Sequence, residues 1–206
     1  MSGDGKISAK LVLLGDSDIG KSSLVLRFAK GKFYDRTEST IGAAFMTKSL
    51  AIGNPSNKTI IRFEIWDTAG QERYHSLAPM YYRDAKVAVI MFDITSLTSF
   101  EKAKFWVGEL KGAGRKDVII AFVGNKVDLE EQREVPTQEA QRYAEQNDLI
   151  FKETSAKTNT NVQELFLALA QAVNKGGGAR VRKEETSGGV DLGGKKPPPP
   201  EDSGCC

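Results

Sequence analysis

Between residues 10 and 173, apolar runs alternate with amphipathic stretches, the pattern of strands and helices in turn that builds a sheet covered on both faces. Six runs read as strands: residues 10–15, 41–52, 58–67, 86–93, 117–124 and 149–153. Helices are expected in most of the gaps. Phe100, Ala103, Val107 and Leu110 recur at helical spacing, as do Val162, Leu165, Phe166, Leu169 and Val173, and both stripes should face the core. Thr160 and Gln163 ahead of the second stripe form a capping-box pattern. Between the second and third strands stands only Asn54-Pro55-Ser56-Asn57, a turn too short for a helix, so these two strands form an antiparallel hairpin. The expected fold class is α/β: a six-stranded, mostly parallel sheet with one antiparallel hairpin and helices on both faces. Along the third strand Ile61, Phe63 and Ile65 share one face while Arg62, Glu64 and Trp66 share the other, which sets an exposed tryptophan on the polar side as a candidate partner contact.

The pattern stops near Asn174. Beyond it the chain holds 8 of its 20 glycines, 4 of its 7 prolines and almost no large apolar side chain, so a folded unit over 1–173, with its core from about residue 6, is expected to carry a disordered tail over 174–206. Of the 206 residues, 29 are Lys or Arg and 27 Asp or Glu; a net charge of +2 offers no broad basic field for a nucleic acid. The longest apolar runs, 87–92 and 118–123, fall far below the ~18 residues of a membrane-spanning helix. No charged segment followed by an apolar one opens the chain, so a cytosolic protein is expected. Ser2 stands where N-myristoylation requires glycine.

Both cysteines, Cys205 and Cys206, are adjacent at the end of the tail. Neighbouring thiols close no useful loop and no clustered His or Cys joins them as metal ligands, whereas lipid attached there reaches a membrane without disturbing a core. The tail carries six cations and five anions, too weak a charge to anchor alone, so both thiols are expected to carry a chain, with Pro197 to Pro200 as a stiff spacer.

Candidate chemistry begins directly after the first strand, where Gly15-Asp16-Ser17-Asp18-Ile19-Gly20-Lys21-Ser22 fits G-x-x-x-x-G-K-[ST] and runs into a helical stretch that includes Ser23. Its glycines let backbone N–H groups and a helix N-terminus meet phosphate oxygens, Lys21 adds a cation, and Ser22 a hydroxyl for Mg²⁺. Asn125-Lys126-Val127-Asp128 follows the strand ending near Gly124, at the carboxyl edge where such sheets bind ligands. A carboxylate at Asp128 accepts two hydrogen bonds from guanine's N1–H and N2 amine; adenine would leave it unpaired. Trp66-Asp67-Thr68-Ala69-Gly70-Gln71 then sets Asp67 where it can hold Mg²⁺ through water and Gln71 where it can orient a water.

With Ser39-Thr40-Ile41-Gly42 and Glu153-Thr154-Ser155-Ala156-Lys157, these motifs resemble the small GTPases of the Ras superfamily over about residues 6–173. Ile41 to Phe45, Trp66 to Arg83 and the Cys-Cys end resemble the Rab family, most of all its early-endosome, Rab-five branch. The resemblance implies a P-loop small-GTPase fold and a nucleotide-bound monomer that binds GTP, GDP and Mg²⁺. It implies Mg²⁺ ligation by Ser22 and Thr40, γ-phosphate sensing by Gly70, water positioning by Gln71, Phe33 against the guanine, and Ser155, Ala156 and Lys157 flanking the base. Phe45, Trp66 and Tyr81 would form the effector patch, and His75 would be a partner-facing surface residue. Both cysteines would be prenylated, bringing the protein to early endosomes for vesicle tethering and fusion. No arginine matches a built-in finger, so hydrolysis should be slow without an activating protein. An exchange factor, a dissociation inhibitor or escort protein and endosomal effectors complete the implied partners.

Asp18 departs from the family pattern, which has a small uncharged residue beside the phosphates. A carboxylate ~5 Å from phosphate at an effective dielectric of ~20 costs about 3 kcal/mol per unit charge, so Asp18 is expected to point outward, balanced by solvent or by Lys32 or Arg36. A longer hairpin turn around Pro55 is a second departure, expected to be a harmless surface insertion. Two other readings stay open: a scaffold that holds nucleotide without turning it over, and an adenine-nucleotide enzyme such as a kinase.

Overall fold

In the computed structural model, which describes residues 5–35, 38–54, 57–71, 77–113 and 117–176, the six expected strands all form. They are β1 (Gly5–Leu14), β2 (Ala43–Asn54), β3 (Asn57–Thr68), β4 (Val87–Asp93), β5 (Ile119–Asn125) and β6 (Ile150–Thr154). One mixed sheet results, in the order β2-β3-β1-β4-β5-β6, with β2 and β3 antiparallel and every other pair parallel. The helices are α1 (Lys21–Lys30), α2 (Ala78–Tyr82), α3 (Leu97–Gly112), α4 (Thr137–Gln146) and α5 (Val162–Asn174), and a 3₁₀ turn spans Val127–Gln132. Arg36, the turn at Pro55, His75 and the tail from residue 177 with Cys205 and Cys206 lie outside the described residues.

Strand side chains alternate between two cores. Ala9, Leu11 and Leu13 of β1 meet Phe28 of α1 and Phe166 of α5 on one face, while Val12 and Leu14 meet Phe100 and Val107 of α3 and Ala140 and Ala144 of α4 on the other. Phe28 and Phe166 stack with centroids 3.6 Å apart, and Phe63 closes on both edge-on. Across the sheet Phe92, Phe100 and Phe122 form a matching trio. Truncating any of these buried rings to alanine would cost about 3–5 kcal/mol. No helix among the described residues is long and apolar enough to cross a membrane.

β1 begins five residues before the apolar run does. Lys6 and Ser8 point outward, and only β3 pairs with this segment, in register from Gly5 opposite Thr59, whereas β4 joins β1 only from Leu11 to Leu14. Main-chain pairing alone extends the strand there. The capping box at Thr160 does not form. Thr160 is held in a bridge with Ser155 and its hydroxyl pairs with that of Thr158 at 2.7 Å, so the N-cap passes to Asn161, left-handed at φ 55° and without a side-chain cap.

The hairpin continues past its strands: Ala43 pairs with Thr68, and beyond them the Ala69 N–H donates to the Gly42 carbonyl at 2.8 Å. The carboxyl ends of β1, β3, β4, β5 and β6 thus converge on one edge of the sheet, where the sequence motifs lie.

Candidate functional site

At that edge opens a cavity of about 620 Å³, within the range of ligand sites. Ser17, Asp18, Gly20, Lys21, Ser22 and Ser23 line one end, Asn125, Lys126, Asp128, Ala156 and Lys157 the other, and Phe33, Thr40, Gly70 and Gln71 its rim. Ser39 and Thr68, from the quoted motifs, also contribute walls, as do Tyr34, Asp35, Glu38 and Leu129, which no motif singled out.

The first end is shaped by the turn from β1 into α1. Gly20 caps α1 at φ 90°, and a Cβ there would lie 2.5 Å from the Asn125 amide, so the position needs glycine on both counts. The N–H groups of the first α1 turn then face the cavity with their partial positive charge, as an anion site requires. Lys21, the first residue of α1, is buried, and its Nζ donates to the carbonyls of Gly15 (3.0 Å) and Asp16. Burial pulls its ammonium down to about 8, against the attraction of Asp67, Asp16 and Asp18. Asp16 itself turns away, accepting from the Ser17 N–H at 2.9 Å and pairing with Lys102 of α3 at 2.9 Å. Ile19 is core, and Gly15 lies beneath the cavity as a carbonyl partner.

Asp18 is exposed, as expected, and among the described residues it forms no salt bridge with Lys32 or any other cation, its charge acting only on Lys21; Arg36 is not one of the described residues. It adopts a left-handed backbone at φ 58°, a conformation Asp tolerates better than most residues.

Ser22 and Thr40 bring their hydroxyl oxygens within 2.9 Å of each other, with the Asp67 carboxylate close by. Burial raises the Asp67 carboxyl above its usual range, opposed by Ser22 and Lys21. Its Oδ1 is buried without a hydrogen-bond partner among the described residues. Two hydroxyls beside an orphaned carboxylate oxygen form an all-oxygen donor set, incomplete by itself and suited to a Mg²⁺ that keeps waters and phosphate oxygens as its other ligands. Gly70 packs against the loop after β1: a Cβ there would lie 2.3 Å from the Asp16 carbonyl oxygen and 2.5 Å from the Ser17 nitrogen.

The second end is tied to the first by Asn125, which is buried. Its Nδ2 donates to the Ile19 carbonyl at 2.9 Å, and its Oδ1 accepts from the Thr154 hydroxyl at 3.1 Å and the Ala156 N–H at 3.3 Å. Three loops therefore meet on one side chain. Lys126, left-handed at φ 70°, pairs with buried Asp93 at 2.7 Å. Ser155 does not line the cavity; its hydroxyl donates to Asp128 Oδ1 and accepts from the Thr158 N–H at 3.0 Å, aiming the carboxylate. Arg27 of α1 was not legible as a site residue, being some 130 positions from its partners. It donates to the carbonyls of Ala156 and Lys157, each at 2.8 Å, and stands over the Phe33 ring at 5.9 Å.

Phe45, Trp66 and Tyr81 do come together, with centroids 5.2 Å and 5.8 Å apart in turn. Trp66 is half-buried rather than exposed, because Tyr81 and the Lys10 ammonium, 5.6 Å from its ring centroid, cover it; Phe45, at 56 % exposure, is the open member. Ile41 and Met80 are exposed as well.

A model of the Ras family matches residues 10–175. The chain is 51% identical over 205 residues to the Ras-related protein RABF2a of Arabidopsis thaliana, an alignment covering 100% of this chain and 98% of that one, and RABF2b of the same plant matches to the same extent. To the Ras-related protein Rab-5A of Dictyostelium discoideum it is 57% identical over 166 residues, 81% of each chain.

Proposed function

Since the chain belongs to the Ras family, in the Rab-five branch of its small GTPases, we propose that it is a guanine-nucleotide switch of early endocytic traffic, recruiting effectors for vesicle tethering and fusion in its GTP state. Its reaction is the hydrolysis of GTP to GDP and phosphate. The single observation that carries the reading is a cavity with a buried lysine under a helix N-terminus at one end and an aimed carboxylate, Asp128, at the other.

Each residue has a task in this reading. The backbone from Gly15 to Ser23 and the Lys21 ammonium hold the phosphates, offsetting their charge. Asp128 accepts from the guanine N1–H and N2 amine, Asn125 and Lys126 fix the turn that presents it, and Phe33, Ala156 and Lys157 flank the base. Ser22, Thr40 and Asp67 would hold Mg²⁺, the last through water. Bound Mg²⁺ supplies charge stabilisation for the phosphate oxygens during transfer. Gln71 orients the attacking water, while Gly70 offers its N–H to the γ-phosphate and lets the loop pass the Asp16 backbone. Loss of the γ-phosphate removes the ligand that holds the Thr40 and Gly70 segments, and the aromatic patch of Phe45, Trp66 and Tyr81 changes with them.

The same reading includes an exchange factor to open the cavity, an activating protein to supply the missing transition-state cation, and a dissociation inhibitor or escort protein. Prenyl chains on Cys205 and Cys206, in a tail over 174–206 that follows the GTPase domain, place the protein on the cytosolic face of early endosomes. The test is to denature full-length protein purified from cells in Mg²⁺ and identify the released nucleotide by chromatography. Stoichiometric GDP is expected. Mostly GTP would indicate a scaffold that does not turn over; adenine nucleotide, or none, would overturn the guanine site.

A further inference from the structure

Outside the cavity wall, the Arg133 guanidinium uses all of its N–H directions. Nε and Nη2 donate to the two carboxylate oxygens of Glu130 at 2.8 Å and 2.6 Å, while Nη1 and Nη2 donate to those of Glu153 at 2.7 Å and 3.1 Å. Nη1 also reaches the Val135 carbonyl at 3.0 Å. The Arg133 and Glu153 side chains are only 15 % and 17 % exposed, and the Thr137 hydroxyl closes over Glu153 at 3.1 Å.

The positions of the two carboxylates give this fork its meaning. Glu130 lies in the 3₁₀ turn two residues after Asp128, and Glu153 lies on β6 two residues before Ser155. Ser155 in turn donates to Asp128, so turn, arginine, strand and carboxylate form a closed ring. A planar fork holding two carboxylates fixes both distance and angle between the segments, which a point charge cannot do.

We propose that Arg133 is a positioning residue for base selectivity: it locks the turn that carries Asp128 against the strand end that carries Ser155, so that Asp128 meets both donors of the guanine edge. The inference rests on the guanine reading of the cavity and deepens it. Arg133 itself does not line the cavity. The consequence falls on the second hydrogen bond, because one contact to N1–H tolerates a tilted carboxylate and two simultaneous contacts do not.

GDP and IDP separate these cases, since hypoxanthine keeps N1–H and lacks the N2 amine. In the full chain, dissociation rates of both nucleotides are measured for the natural protein, Arg133→Lys and Glu130→Gln. The preference for GDP over IDP should fall about ten-fold in Arg133→Lys, with a smaller fall in Glu130→Gln. The exposed site of Glu130 keeps that variant folded even where Arg133→Lys is not, so its ratio then decides. Equal acceleration of both nucleotides, or no change, would reduce Arg133 to a structural role and overturn the inference. A natural protein with no preference for guanine over adenine nucleotides would instead overturn the guanine site itself.

Discussion

The hydroxyl oxygens of Ser22 and Thr40 lie 2.9 Å apart although 18 positions separate them in the chain. One opens α1 and the other precedes β2, so a cation bound between them joins the phosphate loop to the segment before the hairpin. Ser22→Ala removes a hydroxyl from the donor set and with it an influence that favours the ionised Asp67 carboxylate. The accelerating effect of chelating Mg²⁺ on GDP release should shrink about ten-fold or more. Stopped-flow release with and without chelator reads this directly; an undiminished Mg²⁺ effect removes Ser22 from the metal site.

Asn125 serves three partners, in the loop after β1 and at the end of β6, from a buried position. Asn125→Ala leaves the Ile19 carbonyl, the Thr154 hydroxyl and the Ala156 N–H without their partner. A loss of roughly 2–4 kcal/mol in stability is expected, together with faster release of nucleotide. Denaturant unfolding of the nucleotide-bound chain measures the first quantity. A loss below about 0.5 kcal/mol would mean that water replaces the amide.

Gly70→Ala would push a methyl into the Asp16 backbone. The segment carrying Gln71 must then shift, while the base end of the cavity and Lys21 stay in place. Hydrolysis should slow about 100-fold with GDP affinity nearly unchanged, because a displacement of about 1 Å is enough to misplace an attacking water. Single-turnover phosphate release checks it, and a rate near that of the natural protein would show that the loop accommodates the methyl.

Asp18 is best tested by Asp18→Asn. The amide removes the charge and keeps both side-chain size and tolerance of φ 58°, whereas alanine would add backbone strain of about 1–2 kcal/mol. GDP release should slow several-fold at low salt, and the difference should narrow as salt rises, since the carboxylate is exposed. A salt-independent effect would point to local structure in place of charge.

The pH dependence of binding follows from Lys21. In the nucleotide-free protein its ammonium is held near 8 by burial, and phosphate beside it raises the value again. The bound state therefore carries more protons than the free state above about pH 8. Affinity is intact below that pH and declines as pH rises through it, with proton uptake near one at pH 9 and small at pH 7. Calorimetry without divalent cation, in two buffers of different ionisation heat, measures the uptake. Equal uptake at both pH values would contradict a depressed Lys21.

How much of this was legible in the sequence depended on whether contacts were local. The G-x-x-x-x-G-K-S loop, the Asp128 turn and the core stripes of α3 and α5 are short-range patterns; the structure brings the first two to one cavity and buries the stripes. α4 left no stripe because it buries the small side chains Ala140 and Ala144. Arg27 and Arg133 leave no local signal in the sequence, for their partners are carbonyls and carboxylates set by tertiary folding. The half-burial of Trp66 likewise depends on Tyr81 and Lys10 arriving from other elements.

The hydrogen bond from Ala69 to the Gly42 carbonyl, one step beyond the last pair of the hairpin, ties the chain just after Thr40 to the chain just before Gly70. Twelve paired positions behind it keep the two strands from sliding past each other. A binding protein that grips β2 alone therefore also feels what happens at the end of β3. At this point the two flanks of the cavity are one mechanical piece, and a displacement of either is carried to the other along the hairpin.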